Sequence, residues 1–139
     1  MKLPVKTFEK SFDDFKAALA ELKDLVEGIR QGIRNEKMEQ KLIRSFELTH
    51  ELALNTMTEY FRKQGRISFT GPRDTTVDAF HEELIDDGEG WLDMIIIRIK
   101  TSPIYNEDTT KPLVEKIISQ YLNLFENFDR RIEKKLAGI

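Results

Sequence analysis

From Asn35 to Gln64 the chain contains neither proline nor glycine, and this uninterrupted stretch constrains the fold more than any other feature. Met38, Leu42, Phe46, Leu52, Ala53, Met57, Tyr60 and Phe61 form a broad apolar face with charged residues between them, which is the pattern of an amphipathic helix. A helix of about 28 residues is about 42 Å long at about 1.5 Å per residue. Isolated helices are marginal in water, so one of this length must pack along its side against comparable partners. Gly65 follows as a natural residue for positive φ at the helix end.

The partners are readable on either side. Phe8, Phe12, Phe15, Leu19, Leu22 and Val26 recur every three or four residues and predict a first helix over about 6–30, with Pro4 and Thr7 at its start and Gly28 and Gly32 weakening its end. Leu113, Ile117, Tyr121, Leu124, Phe128 and Ile132 predict a last helix over about 110–136. Between the long helices, Gly71-Pro72 should open a short third helix with Val77, Phe80, Leu84 and Ile85 on its buried side, ended by Asp87-Gly88. A fourth helix starts near Glu89, and Trp91, Leu92, Met94, Ile95, Ile96, Ile97 and Ile99 make it apolar on nearly every side. Three consecutive isoleucines would also suit a buried strand, but no second strand-like run exists to pair with them, so a helix buried on several faces is expected. A homo-oligomer interface would account for it. Lys100 to Asp108, broken by Pro103, reads as a loop. The expectation is an all-α, up-and-down bundle of the four-helix type, with three long helices and two short ones, and residues 1–139 forming a single domain.

Composition narrows the chemistry. The 139 residues are 40% hydrophobic, enough for a core without staples or a structural metal, and the absence of cysteine removes disulfides, thiolate catalysis and cysteine-ligated metals. With 22 Lys and Arg against 25 Asp and Glu, a formal net charge of -3, any contact with RNA or a nucleotide must come from a local basic cluster. The opening Met-Lys-Leu-Pro-Val-Lys has no apolar signal core, and apolar runs as short as Met94 to Ile97 span no bilayer, so a cytoplasmic protein is expected.

Three places carry candidate chemistry. Glu47 and His50 have the Glu-x-x-His spacing of bundle di-iron sites, but His81, the only other histidine, lacks a glutamate three residues before it, and Leu54 stands where a zincin motif needs its second histidine. No metal is expected, and His50 reads as a hydrogen-bonded core histidine. Arg62, Lys63, Arg66 and Arg73 crowd the end of the second helix and the following turn, where they suit either a phosphate or, more simply, the helix dipole. Arg98, Thr101, Ser102, Tyr105 and Asn106 gather donors straight after the most apolar helix. That grouping fits an anion or a nucleotide, and equally a capped helix end, and periodicity does not separate the two.

Phe46 to Leu54, Gly71-Pro72-Arg73, Leu84 to Met94, and Arg98 to Glu107, in that order and spacing, resemble the nucleotidyltransferase substrate-binding proteins of the HEPN superfamily over about 12–132. The resemblance implies a homodimeric bundle paired with a minimal nucleotidyltransferase, often as a bacterial or archaeal toxin–antitoxin module. It also implies that active members cleave RNA with an Arg, usually followed by a polar residue, and a His five places after the Arg, and that in some members a tyrosine two places after the His is adenylylated. Arg98 and Tyr105 stand at two of these positions, but Ile99 and Pro103 occupy the polar and histidine positions. Proline has no proton to give or take, so the acid/base role has no occupant.

The resulting expectation is a substrate-binding or regulatory subunit without catalytic activity or cofactor, and with RNA not among its partners. Arg98, Thr101, Ser102, Tyr105 and Arg73 would contact a nucleotide or the partner, and Tyr105 is the candidate nucleotidyl acceptor. Two alternatives stand beside it: a ribonuclease working through Arg98 and a substitute base, and a structural helical module whose loop binds nothing.

Overall fold

The computed structural model describes residues 7–101 and 107–138. The first helix, α1, spans Phe8–Arg30, and its N-cap Thr7 accepts from the Lys10 amide at 3.0 Å. α2 spans Glu36–Lys63, capped by Asn35, whose side chain accepts from the Met38 amide at 2.9 Å. Both caps satisfy amides that the first helical turn leaves without partners. Gly65 ends the α2 turn at φ 102, where a side chain would be strained. α3 spans Pro72–His81 with Pro72 in its first turn, and α4 spans Gly88–Thr101. α5, Glu107–Lys116, passes through a π turn at Ile117–Tyr121 into α6, Leu122–Leu136, so these three segments run as one long helix. The architecture is an all-α bundle of three long helical stretches and two short ones.

α1 and α2 run antiparallel, since Lys63 at the end of α2 pairs with Glu9 at the start of α1. α6 runs antiparallel to α1 as well, with Lys16 paired to Glu133 and Lys23 to Glu126. These exposed pairs add little energy individually. The stabilising mass lies between the helices. Phe15 packs edge-on against Phe128 at 5.2 Å between centroids, Phe46 stacks on Tyr121 at 5.3 Å, and Trp91 meets Phe125 and Phe128 edge-on at 5.6 and 5.5 Å. Each such fully buried ring contributes about 1.5–3 kcal/mol of transfer free energy. The buried hydroxyls of Thr49 and Thr56 donate back to the Ser45 and Leu52 carbonyls, so α2 carries polar side chains into the core without orphaning them.

The middle of the chain departs from expectation in three ways. α3 stops at His81, not at Asp87-Gly88, and it buries Thr75, Thr76 and Ala79 while Val77 and Phe80 remain 38% and 44% exposed. Leu84 and Ile85 are buried, but from the turn that follows α3. That turn is held at Glu83, whose φ is 63 and whose carbonyl accepts from Arg131 of α6 at 2.8 Å. α4, secondly, is not buried on several faces within the single chain: Trp91 and Met94 enter the core, while Ile96 and Ile99 are 48% and 72% exposed, on the surface that a homo-oligomer interface would cover. Finally, helix takes up both ends of the stretch read as a loop from Lys100 to Asp108: α4 continues to Thr101 and α5 already begins at Glu107.

Candidate functional site

Glu47, His50, Glu51 and Leu54 stand three, four and seven residues apart and therefore share one face of α2. Leu92, Ile95, Ile96 and Ile99 have the same spacing on α4. The two faces flank a groove of about 660 Å³, to which the start of α3 adds Pro72 and Arg73. Its α4 wall is apolar, and its polar groups come mainly from α2 and the two arginines.

Arg98 bridges the groove's helices. Its Nη1 donates to His50 Nδ1 at 3.0 Å and lies 3.4 Å from Glu51 Oε2. A guanidinium has only donors, so Nδ1 must be the accepting nitrogen and the ring proton sits on Nε2. His50 is 1% exposed, its ring parallel to Phe46 at 6.1 Å and tilted against Trp91 at 6.1 Å. Burial, and then the positive charge of Arg98, push its pKa down to about 3. The imidazole is consequently neutral at physiological pH.

This chemistry bears on two roles for His50. Its Nδ1 lone pair is engaged by a cation, which is incompatible with Nδ1 ligation of a metal, and among the described residues no group of three or more His, Asp and Glu side chains gathers. A buried base with a pKa near 3 also makes a poor proton acceptor for a substrate hydroxyl. That value disfavours His50 as the substitute base that a ribonuclease without an imidazole at position 103 requires. His81 is exposed at the end of α3 and does not line the groove.

The structure brings together four of the residues singled out from sequence, Glu47, His50, Arg73 and Arg98. The side chain of Thr101, and Ser102, Pro103 and Tyr105 altogether, lie outside the described residues. Arg62, Lys63 and Arg66 are engaged elsewhere: Arg62 with Glu59, Lys63 with Glu9, and Arg66 with Asp78. The guanidinium carbons of Arg62 and Arg66 also both lie over the Phe69 ring at 5.0 Å. The basic cluster is thus mostly internal structure. The contribution of α2 to the groove was not foreseen, although the four-residue spacing within Phe46 to Leu54 was a signal for it.

A second, partly exposed polar cluster lies outside the groove lining and joins α4 to the C-terminal helix. Tyr121 Oη donates to Asp93 Oδ2 at 2.5 Å, and Lys116 Nζ reaches the same oxygen at 2.9 Å. The Tyr121 hydrogen bond and then Lys116 hold the Asp93 carboxyl below its ordinary range against the opposing effect of burial, while burial followed by Asp93 raises the Tyr121 phenol. These contacts tie α4 to the π turn.

Set beside known proteins, residues 10–134 match the family described as nucleotidyltransferase substrate binding protein like. No curated protein matches the sequence. Among the described residues no helix is long and apolar enough to cross a membrane.

Proposed function

Because the chain belongs to the family of nucleotidyltransferase substrate-binding-like proteins, we propose that it is the substrate-binding or regulatory subunit of a minimal nucleotidyltransferase, and that the groove between α2 and α4 receives a nucleotide. The observation that carries this reading is Arg98, held by His50 and Glu51 at a largely apolar groove of about 660 Å³. That volume falls within the range of small-molecule sites, which are mostly apolar with a few placed polar groups. Arg98 and Arg73 meet phosphate, and the α4 wall takes the apolar face of the base. The start of α3 adds its dipole, which favours negative charge.

In the HEPN-type reading a homodimer forms and works with its nucleotidyltransferase as a cytoplasmic toxin–antitoxin-like pair. The protein has no ribonuclease activity, and Thr101, Ser102 and Tyr105 join the site, with Tyr105 the residue that accepts a nucleotidyl group. Calorimetric titration of the purified chain with ATP tests the core of this reading. Arg98→Ala should weaken binding about tenfold or more, as loss of a charge-assisted contact does, with the circular dichroism spectrum unchanged. Unaltered affinity in the folded variant removes Arg98 from the site. Mass spectrometry after incubation with a minimal nucleotidyltransferase and ATP checks the acceptor: a nucleotidyl adduct on wild type that Tyr105→Phe abolishes is expected, and an adduct that persists rules Tyr105 out.

A further inference from the structure

Arg98 reaches the groove from α4, and what fixes it is a ring buried in α2. A surface arginine has many rotamers, and holding one in place usually falls to a carboxylate, which also cancels its charge. Here the shorter contact is to His50 Nδ1 at 3.0 Å, while the Glu51 carboxylate stands at 3.4 Å with its side chain 56% exposed. The imidazole has little freedom to turn away, because it is sandwiched among Phe46, Trp91 and Phe125 with centroid distances of 6.1, 6.1 and 6.5 Å.

We propose that His50 is the positioning residue of Arg98: a buried, neutral acceptor that orients the guanidinium while leaving its positive charge available to an anion at the groove. The proposal rests on the reading of Arg98 as the anion-binding residue. Among the described residues, both contacts of Arg98 fall on Nη1. An anion received through Nε and Nη2 leaves the His50 contact in place. Both Nη1 contacts, to His50 and to Glu51, lie on the edge of the guanidinium away from that anion. The aromatic ring parallel to His50 sets the donor's direction from the core outward, so the groove inherits the rigidity of the bundle.

The test titrates the purified chain with ATP and compares Arg98→Ala, His50→Leu and His50→Asn. Leu fills the ring's space without an acceptor, and the Asn amide oxygen restores one near the position of Nδ1. We expect His50→Leu to weaken ATP binding at least about fivefold, in keeping with the loss of a hydrogen bond to a charged group, His50→Asn to recover part of that loss, and the Leu change to have no further effect when Arg98 is already Ala. A purely structural role would give no rescue by Asn and no coupling to Arg98. If His50→Leu folds and binds ATP as wild type does while Arg98→Ala does not, the positioning role falls and the nucleotide-binding reading stands; if Arg98→Ala binds normally, both fall. Nitrogen-15 NMR of histidine-labelled wild type supplies a reading that needs neither ligand nor variant. A protonated Nε2 with a bare Nδ1 is expected at His50, and a proton on Nδ1 overturns the proposal even if His50→Leu does not fold.

Discussion

A buried imidazole beside a guanidinium takes up a proton only at low pH, and the pH dependence of stability follows from this. In the unfolded chain His50 protonates below its ordinary value of 6.5, whereas in the folded chain it resists until about 3. The folded-state value is the depressed one, so the stabilisation from this group is complete above pH 6.5 and declines as the pH falls towards 3. The slope approaches about 1.4 kcal/mol per pH unit within that window. Asp93 and Glu9, whose carboxyls are also held below their ordinary range, lose stabilising contacts on acidification as well. Comparison with His50→Leu isolates the histidine. Between pH 7 and 5 the wild type should lose about 2 kcal/mol more than the variant in urea unfolding; parallel losses would mean that His50 is protonated in the folded state or hydrated in it. The sequence showed why His50 and Glu47 share a helix face with ligand-like spacing. It did not show Arg98 lying over that face, because a contact 48 residues distant depends on how α2 and α4 pack, to which local periodicity is blind.

Among the elements, the long C-terminal helix shows what periodicity conveys and what it conceals. Leu113 and Ile132 are both fully buried, yet they lie 19 residues apart, which a regular helix of 3.6 residues per turn would rotate about 100° out of line. The π turn at Ile117–Tyr121 takes up one extra residue and brings the two ends back to one face. The apolar spacing announced a helix here, but a spacing of four is tolerated by both kinds of turn, so the π turn stayed hidden. It matters because it delivers Tyr121 to Asp93 on α4, five residues before Arg98. Tyr121→Phe keeps the ring in its stack on Phe46 and removes only the donor. It should lower unfolding free energy by about 1.5–3 kcal/mol, the range for hydrogen bonds to charged groups, with an unchanged urea m-value. A change below about 0.5 kcal/mol would show that Lys116 and water satisfy the Asp93 carboxylate unaided. α3 illustrates the opposite failure. Its Val77 and Phe80 looked like a buried side, but a ten-residue helix on the edge of a bundle can bury small Thr75, Thr76 and Ala79 against its neighbours and leave larger residues outside.

For the whole molecule, the bundle and its long helices were legible because their apolar stripes repeat over many turns, and α4, apolar nearly all round in sequence, carries more apolar surface than one chain covers. Trp91 and Met94 satisfy the core, and Ile96 and Ile99, one turn apart, face outward on the wall of the groove. Two such isoleucines on the same helix face as the partly buried Ile95 form a contiguous apolar strip, the kind of surface that marks an interaction site. A second copy covers it most economically, because in a twofold interface each strip meets itself and the paired area is twice that of one chain. In the proposed homodimer that strip, which also lines the groove, would bring the two proposed nucleotide sites to the interface. Ile99→Glu tests it cleanly. The side chain is 72% exposed, so the folded monomer should tolerate a carboxylate, as surface changes usually fall within about 0.5 kcal/mol. In a twofold interface, however, the same change sets two desolvated carboxylates close together, a like-charge arrangement that costs several kcal/mol. Static light scattering at micromolar concentration should then report a dimer for wild type and a monomer for Ile99→Glu with the helical spectrum retained. A monomeric wild type, or a variant that stays dimeric, would place any dimer contact on a different face.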